Sequence, residues 1–102
     1  MRKILLIPVL ITIVFIAGCT VQETDKDKAI TACVNACKSA TQNLTDGPCL
    51  SNEIIVDWVC DVAHSPRQSV DNNPENQCSA FREGLAHHFV EVNPICNFIR
   101  AI

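Results

Sequence analysis

This chain has little with which to hold a phosphate backbone and little with which to cross a membrane. Its eight lysines and arginines are scattered among eleven acidic residues, and no stretch gathers them into a basic cluster. Affinity for nucleic acid comes mainly from Lys and Arg displacing condensed counterions, so a nucleic-acid partner is excluded as an expectation. The longest apolar run, Ile4 to Ile16, is about 13 residues, whereas a spanning helix needs roughly 20 to cover the hydrocarbon core. Pro8 inside the run weakens a permanent helix further. Catalytic motifs are scarce too: His64 lies beside Ser65, but adjacent residues seldom place base and nucleophile in hydrogen-bonding geometry, and no oxyanion motif accompanies them. No catalytic residue and no cofactor is expected.

What is present begins at the N-terminus. Arg2 and Lys3 precede the apolar run, and Ala17-Gly18 follow it, the order of regions found in a cleaved export signal. The segment Phe15-Ile16-Ala17-Gly18-Cys19 resembles the lipobox of prokaryotic membrane lipoproteins. That resemblance covers the first fifth of the chain and implies that residues 1–18 are removed and that Cys19, as the first mature residue, carries a lipid. It implies in turn a cell-membrane location on the extracytoplasmic face, with the membrane as one partner and an envelope or extracellular molecule as another. Residues 19–28 read as a lipidated tether, because Glu23, Asp25 and Asp27 alternate with Lys26 and Lys28 and no large apolar residue follows Val21. The cysteine-rich domain then occupies 29–102. After Gly18 there remain 84 residues with six basic and eleven acidic side chains, a formal charge of −5. Such a surface offers anionic lipid heads no polybasic hold, which leaves covalent lipid as the means of attachment.

Six cysteines follow the anchor: Cys33, Cys37, Cys49, Cys60, Cys78 and Cys96. An even number in a short exported chain reads as a disulfide framework, since so small a domain buries too little apolar surface to be secure alone. Each of three bridges closing 15 to 40 residues is worth on the order of 3 kcal/mol, comparable with the stability of the whole core. Cys33 and Cys37 share one side of a helix with parallel side chains, so each is expected to reach a different partner. Among the possible pairings, Cys78 with Cys96 is favoured as one bridge.

Periodicity predicts a helix from about Asp27 to Leu44, where Ile30, Cys33, Val34 and Cys37 recur at three- and four-residue steps, ended by Asp46-Gly47-Pro48. Glu53 to Cys60 is rich in β-formers and reads as one strand. A polar stretch follows, with a loop from His64 to Asn73 and a short helix from Pro74 to about Glu83 closed by Gly84. His87 to Val92 and Ile95 to Ala101 read as two strands turned by Asn93-Pro94. The fold class is therefore α+β: a small disulfide-rich domain, one main helix packed on a small antiparallel sheet with a C-terminal hairpin.

The candidate binding surface is the polar loop from Asp61 to Asn73, which cysteines bracket at 60 and 78 and which holds Asp61, His64 and Arg67. Arg67 is suited to forking onto a carboxylate and His64 to changing charge near neutral pH, although Arg67 pairing with Asp61 or Asp71 to order the loop competes with ligand binding. The chain reads as a lipid-anchored binding or structural module without turnover. The alternative is a metal-binding or hydrolytic site using His64 with His87 or His88, and it requires those side chains to converge.

Overall fold

The computed structural model describes residues 22–102. The signal segment and the lipidation site Cys19 lie outside the described residues. Helix α1 spans Asp25–Ser39, so it starts inside the stretch read as tether, and Ala29 is its first buried residue. Thr24 caps it, accepting a hydrogen bond from the Asp27 N–H at 3.2 Å, while Asp25 and Asp27 in the first turn and Lys38 in the last complement its dipole. Its buried residues, Ala29, Cys33 and Cys37, recur every fourth position. Beyond Cys37 the sequence Lys38 to Asn43 has no large apolar side chain to bury, and the helix ends at Ser39 instead of reaching Leu44.

Four strands follow: β1 (Cys49–Ile55), β2 (Trp58–Val62), β3 (His88–Val92) and β4 (Phe98–Ala101), side by side in that order. The α+β architecture of one main helix on a small sheet is thus present, and β3 with β4 forms the C-terminal antiparallel pair. The sheet is mixed, however, because β2 and β3 run parallel. A parallel neighbour requires a long crossover, and here it is the whole segment from Ala63 to His87. The expected single strand Glu53–Cys60 is in fact a hairpin, turned at Val56-Asp57 with Asp57 at φ 71°. No glycine or asparagine marks that turn, so the β-forming residues run through it without a break. The expected helix over 74–83 is broken in two, a 3-10 turn at Pro74–Asn76 and a one-turn α2 at Ser79–Arg82, and a further 3-10 turn at Ser69–Asn72 orders the middle of the loop.

Side chains alternate between the two faces of a strand. On the front face Trp58, Cys60, Val62, Val90, Val92 and Ala101 meet Ala29, Cys33 and Cys37 of α1 in the main core. Val59, Asp61, Phe89, Glu91 and Arg100 belong to the back face, where the crossover lies. A smaller apolar cluster of Val59, Cys78 and Ala86 sits there.

All six cysteines of the domain are bridged, as Cys33–Cys60, Cys37–Cys96 and Cys49–Cys78. Cys33 and Cys37 do take different partners, tying α1 to β2 and to the turn before β4. The favoured Cys78–Cys96 bridge is not formed. Cys78 lies on the back face against β1, whereas Cys96 turns toward α1, so the sheet separates them. Three disulfides indicate an oxidising, non-cytoplasmic environment. No helix among the described residues is long and apolar enough to cross a membrane.

Candidate functional site

Strand register builds the site. The parallel pairing sets Asp61 beside Glu91, and the antiparallel pairing sets Glu91 beside Arg100, so two carboxyls and a guanidinium form a row across the back face. Arg67 joins that row from the crossover loop: its Nη1 donates to Glu91 Oε2 at 3.1 Å, while Arg100 Nε donates to Glu91 Oε1. Glu91 is only 4% exposed and has both oxygens occupied. Charge-assisted bonds of this kind are what allow a carboxylate to be buried.

Asp71 holds the loop that delivers Arg67. Its buried carboxylate accepts from the backbone N–H groups of His64 at 3.0 Å and Gln68 at 2.9 Å, and from His64 Nδ1 at 2.9 Å. Burial opposes ionisation of Asp71, but the Gln68 and His64 donors outweigh it and hold the carboxyl below the usual carboxylate range. Arg67 itself donates Nε to Asn72 Oδ1 at 2.8 Å and Nη2 to the Asp71 carbonyl at 3.1 Å. Gly47 is required where the chain passes this knot: its φ is +69°, and a Cβ there would lie 2.5 Å from Asp71 Oδ1.

Between this polar row and α2 lies a cavity of about 340 Å³. Val59 and Phe89 on the sheet are its apolar floor, and Cys78 and Phe81 join the lining from the crossover; Phe81 meets Phe89 edge to face at 5.1 Å. The charged side chains of Asp61, Arg67, Arg82, Glu91 and Arg100 complete the lining. Arg100 also places its guanidinium 5.2 Å from the centre of the Phe89 ring. The same Arg67, Glu91 and Arg100 separate it from a second hollow of about 230 Å³, bordered by His64, Ser65 and Ile99.

Asp61 is the anomalous member of the lining. Its Oδ1 is buried and has no hydrogen-bond partner, the sole such side-chain atom found among the described residues. Burial first, then the charge of Glu91, pushes its carboxyl up to about 8, with the Val62 N–H and Arg67 pulling the other way. At neutral pH it is mainly a protonated acid, able to donate.

The histidines do not converge. His64 is turned onto Asp71, and it follows the Val62 end of β2. His87 and His88 sit at the other end of the strands, where His87 Nδ1 lies 2.6 Å from Asp57 Oδ1, and His88 Nε2 lies 3.7 Å from Asp57 Oδ2 and stacks on Trp58 at 4.6 Å. The His87 hydrogen bond is the main cause of the lowered pKa of Asp57. Strand of this length separates the two ends by roughly 13 Å. Among the described residues no group of three His, Cys, Asp or Glu side chains lies close enough to hold a metal ion. The metal or hydrolytic alternative built on His64 with His87 or His88 therefore lacks its geometry.

Of the sequence candidates, Asp61 faces the cavity, Arg67 is shared between the cavity wall and the loop, and His64 faces inward to Asp71. Glu91, Arg100, Phe81, Phe89 and Arg82 were not candidates. Only the alternation of Phe89 with Val90 and Glu91 with Val92 hinted at them, and alternation alone does not say which strands become neighbours. No protein-family model, curated protein or solved structure matches this chain, so its function is argued from the site.

Proposed function

We propose that this chain is an exported binding module of the cell envelope, anchored through lipid on Cys19, that takes a small ligand in the back-face cavity without turning it over. The observation that carries the reading is the cavity itself: an apolar floor of Val59 and Phe89 with the polar side chains of Asp61, Arg67, Arg82, Glu91 and Arg100 gathered around it. Its volume is at the small end of the range for small-molecule sites. The scaffold suits recognition, since Cys49–Cys78 fixes the crossover to β1 and the front-face core holds β2 and β3 rigid beneath it.

The neighbouring carboxyls Asp61 and Glu91 suggest an acid and base pair, because their environments differ. Glu91 is a poor base, however, with Arg67 and Arg100 holding both its oxygens. The lining supplies no free thiol, hydroxyl or imidazole as an alternative. Recognition is the simpler use of the arrangement.

A fragment screen read by the amide signals of the oxidised full chain tests the site. Ligands that bind should shift the signals of Asp61, Phe81 and Phe89 together. Fragments gathering instead around Asp57 and His87, or nowhere, would remove the back-face site. The anchor is tested separately: mass spectrometry of the mature N-terminal peptide should find an acylated Cys19, and Cys19→Ser should release the protein or leave it uncleaved.

A further inference from the structure

The cavity is positively charged within an acidic domain. Three guanidiniums, of Arg67, Arg82 and Arg100, border it against the single carboxylate of Glu91, since Asp61 carries a proton at neutral pH. Glu91 engages Arg67 and Arg100. Arg82 has no carboxylate within ion-pair distance among the described residues; its one hydrogen bond there is from Nη1 to the Pro74 carbonyl at 3.3 Å. Exposed Arg82 thus has most of its donors free to exchange water for a ligand, beside the Asp61 side chain that also lines the cavity. Phe81 and Phe89 complete the lining with aromatic surface between them.

We propose that the cavity is shaped for a small organic acid with a flat apolar body, its anionic head placed between Arg82 and the Asp61 carboxyl and its body against Phe81 and Phe89. This rests on the reading of the cavity as a binding site and names the ligand class. The head offers acceptors only, which match the donors of Arg82 and the acid proton of Asp61. A ligand ammonium would meet three arginines, and a neutral aromatic would gain the floor but not the charge-assisted bonds of Arg82.

Protonation of Asp61 gives the inference a second signature. The charged groups around it are Glu91 on β3, Arg100 on β4, and Arg67 and Asp71 from the loop, with His64 behind Asp71 and Arg82 of α2 in the same cavity lining; β1 places Cys49, already bridged, beside it. Near pH 9 about a tenth of Asp61 carboxyls still hold their proton, given a folded pKa of about 8, so affinity for an anion should fall about tenfold from its value at pH 6.5.

The test compares phenylacetate, 2-phenylacetamide and 2-phenylethylammonium on the oxidised full chain by titration of amide signals. At pH 6.5 phenylacetate should bind at least tenfold tighter than the amide, and the ammonium should be weakest. Arg82→Gln should weaken phenylacetate about tenfold and leave the amide unchanged. Asp61→Asn, which keeps a neutral donor, should bind phenylacetate within about threefold of the parent at pH 6.5 and lose the weakening at pH 9, while His64→Gln should retain it. An amide or ammonium that binds as tightly as the acid, with shifts still at Phe81 and Phe89, overturns the ligand class and leaves the site standing. Binding by fragments of other chemistry there, with none by phenylacetate, overturns it equally.

Discussion

The two faces of one sheet differ more than any two segments of the chain. On the front, Val62, Val90 and Val92 are at most 1% exposed and two disulfides clamp α1 over them. On the back, the intervening positions Asp61, Phe89 and Glu91 border an open cavity, and one disulfide holds the crossover in place. Neighbouring residues of the same strand therefore serve different ends. A face that is dry and doubly bridged supplies stability that lets the opposite face keep one carboxyl oxygen without a partner.

The comparison breaks first at the bridges. Joint replacement of Cys33 and Cys60 by alanine should cost about 3 to 4 kcal/mol from loop closure alone, and more from the packing of two fully buried side chains. The Cys49→Ala, Cys78→Ala double variant opens a loop of similar length and should lose less, because Cys49 is only partly buried. Urea unfolding of both variants checks the order; equal losses would mean that the faces contribute alike.

Single residues on β3 sharpen it. Val90→Ala opens a void in the front core and should cost about 2 to 3 kcal/mol. Glu91→Gln, one position on, should cost about 1 kcal/mol, because Arg67 and Arg100 are 41% and 53% exposed and can rehydrate when the charge is removed. A Glu91 variant as damaging as the Val90 variant would show that the ion pairs hold the fold.

Acidity separates the faces as well. Asp61 has its folded pKa raised from 3.8 to about 8, so its favourable contribution is complete below about pH 4, is lost progressively as pH rises to about 8, and is constant above that. Asp61→Asn removes this dependence and should flatten the decline of the unfolding free energy from urea titrations between pH 5 and 8, by at least about 1 kcal/mol relative to the parent. Asp71 has the opposite sign, its contribution disappearing as pH falls through its lowered folded pKa. A parent and Asp61→Asn protein with parallel profiles would place the Asp61 carboxyl in water.

The smallest effect is expected at His64. His64→Ala removes one donor to Asp71, leaves two backbone donors in place, and should cost about 1 kcal/mol or less. Thermal melts would detect a larger loss, which would make His64 an internal strut of the loop.

Part of this was legible in the residues. Six cysteines in a short chain announce a bridged domain, the spacing of Ile30, Cys33, Val34 and Cys37 marks α1, with Cys33 and Cys37 buried and Ile30 and Val34 only partly so, and Asp61 and Arg67 were candidates before any contact was known. The hairpin at Val56-Asp57 was hidden because an aspartate in the left-handed region replaces the usual turn glycine. Glu91 read as an unremarkable polar position in a strand, since nothing near it in sequence supplies its partners: Arg67 lies 24 residues away and Arg100 nine.

Composition and local pattern by themselves determined that the chain makes an α+β domain with three bridges, because helix periodicity, β-forming runs and cysteine parity are properties of short stretches. Tertiary structure alone decided which cysteines meet and which carboxyls become neighbours. A shift of one residue in the register of β2 against β3 would send Glu91 to the opposite face from Asp61. That register is selected by the front core, where Trp58, Cys60 and Val62 must lie with Val90 and Val92 beneath α1, and so the cavity on the back face is placed by residues that do not line it.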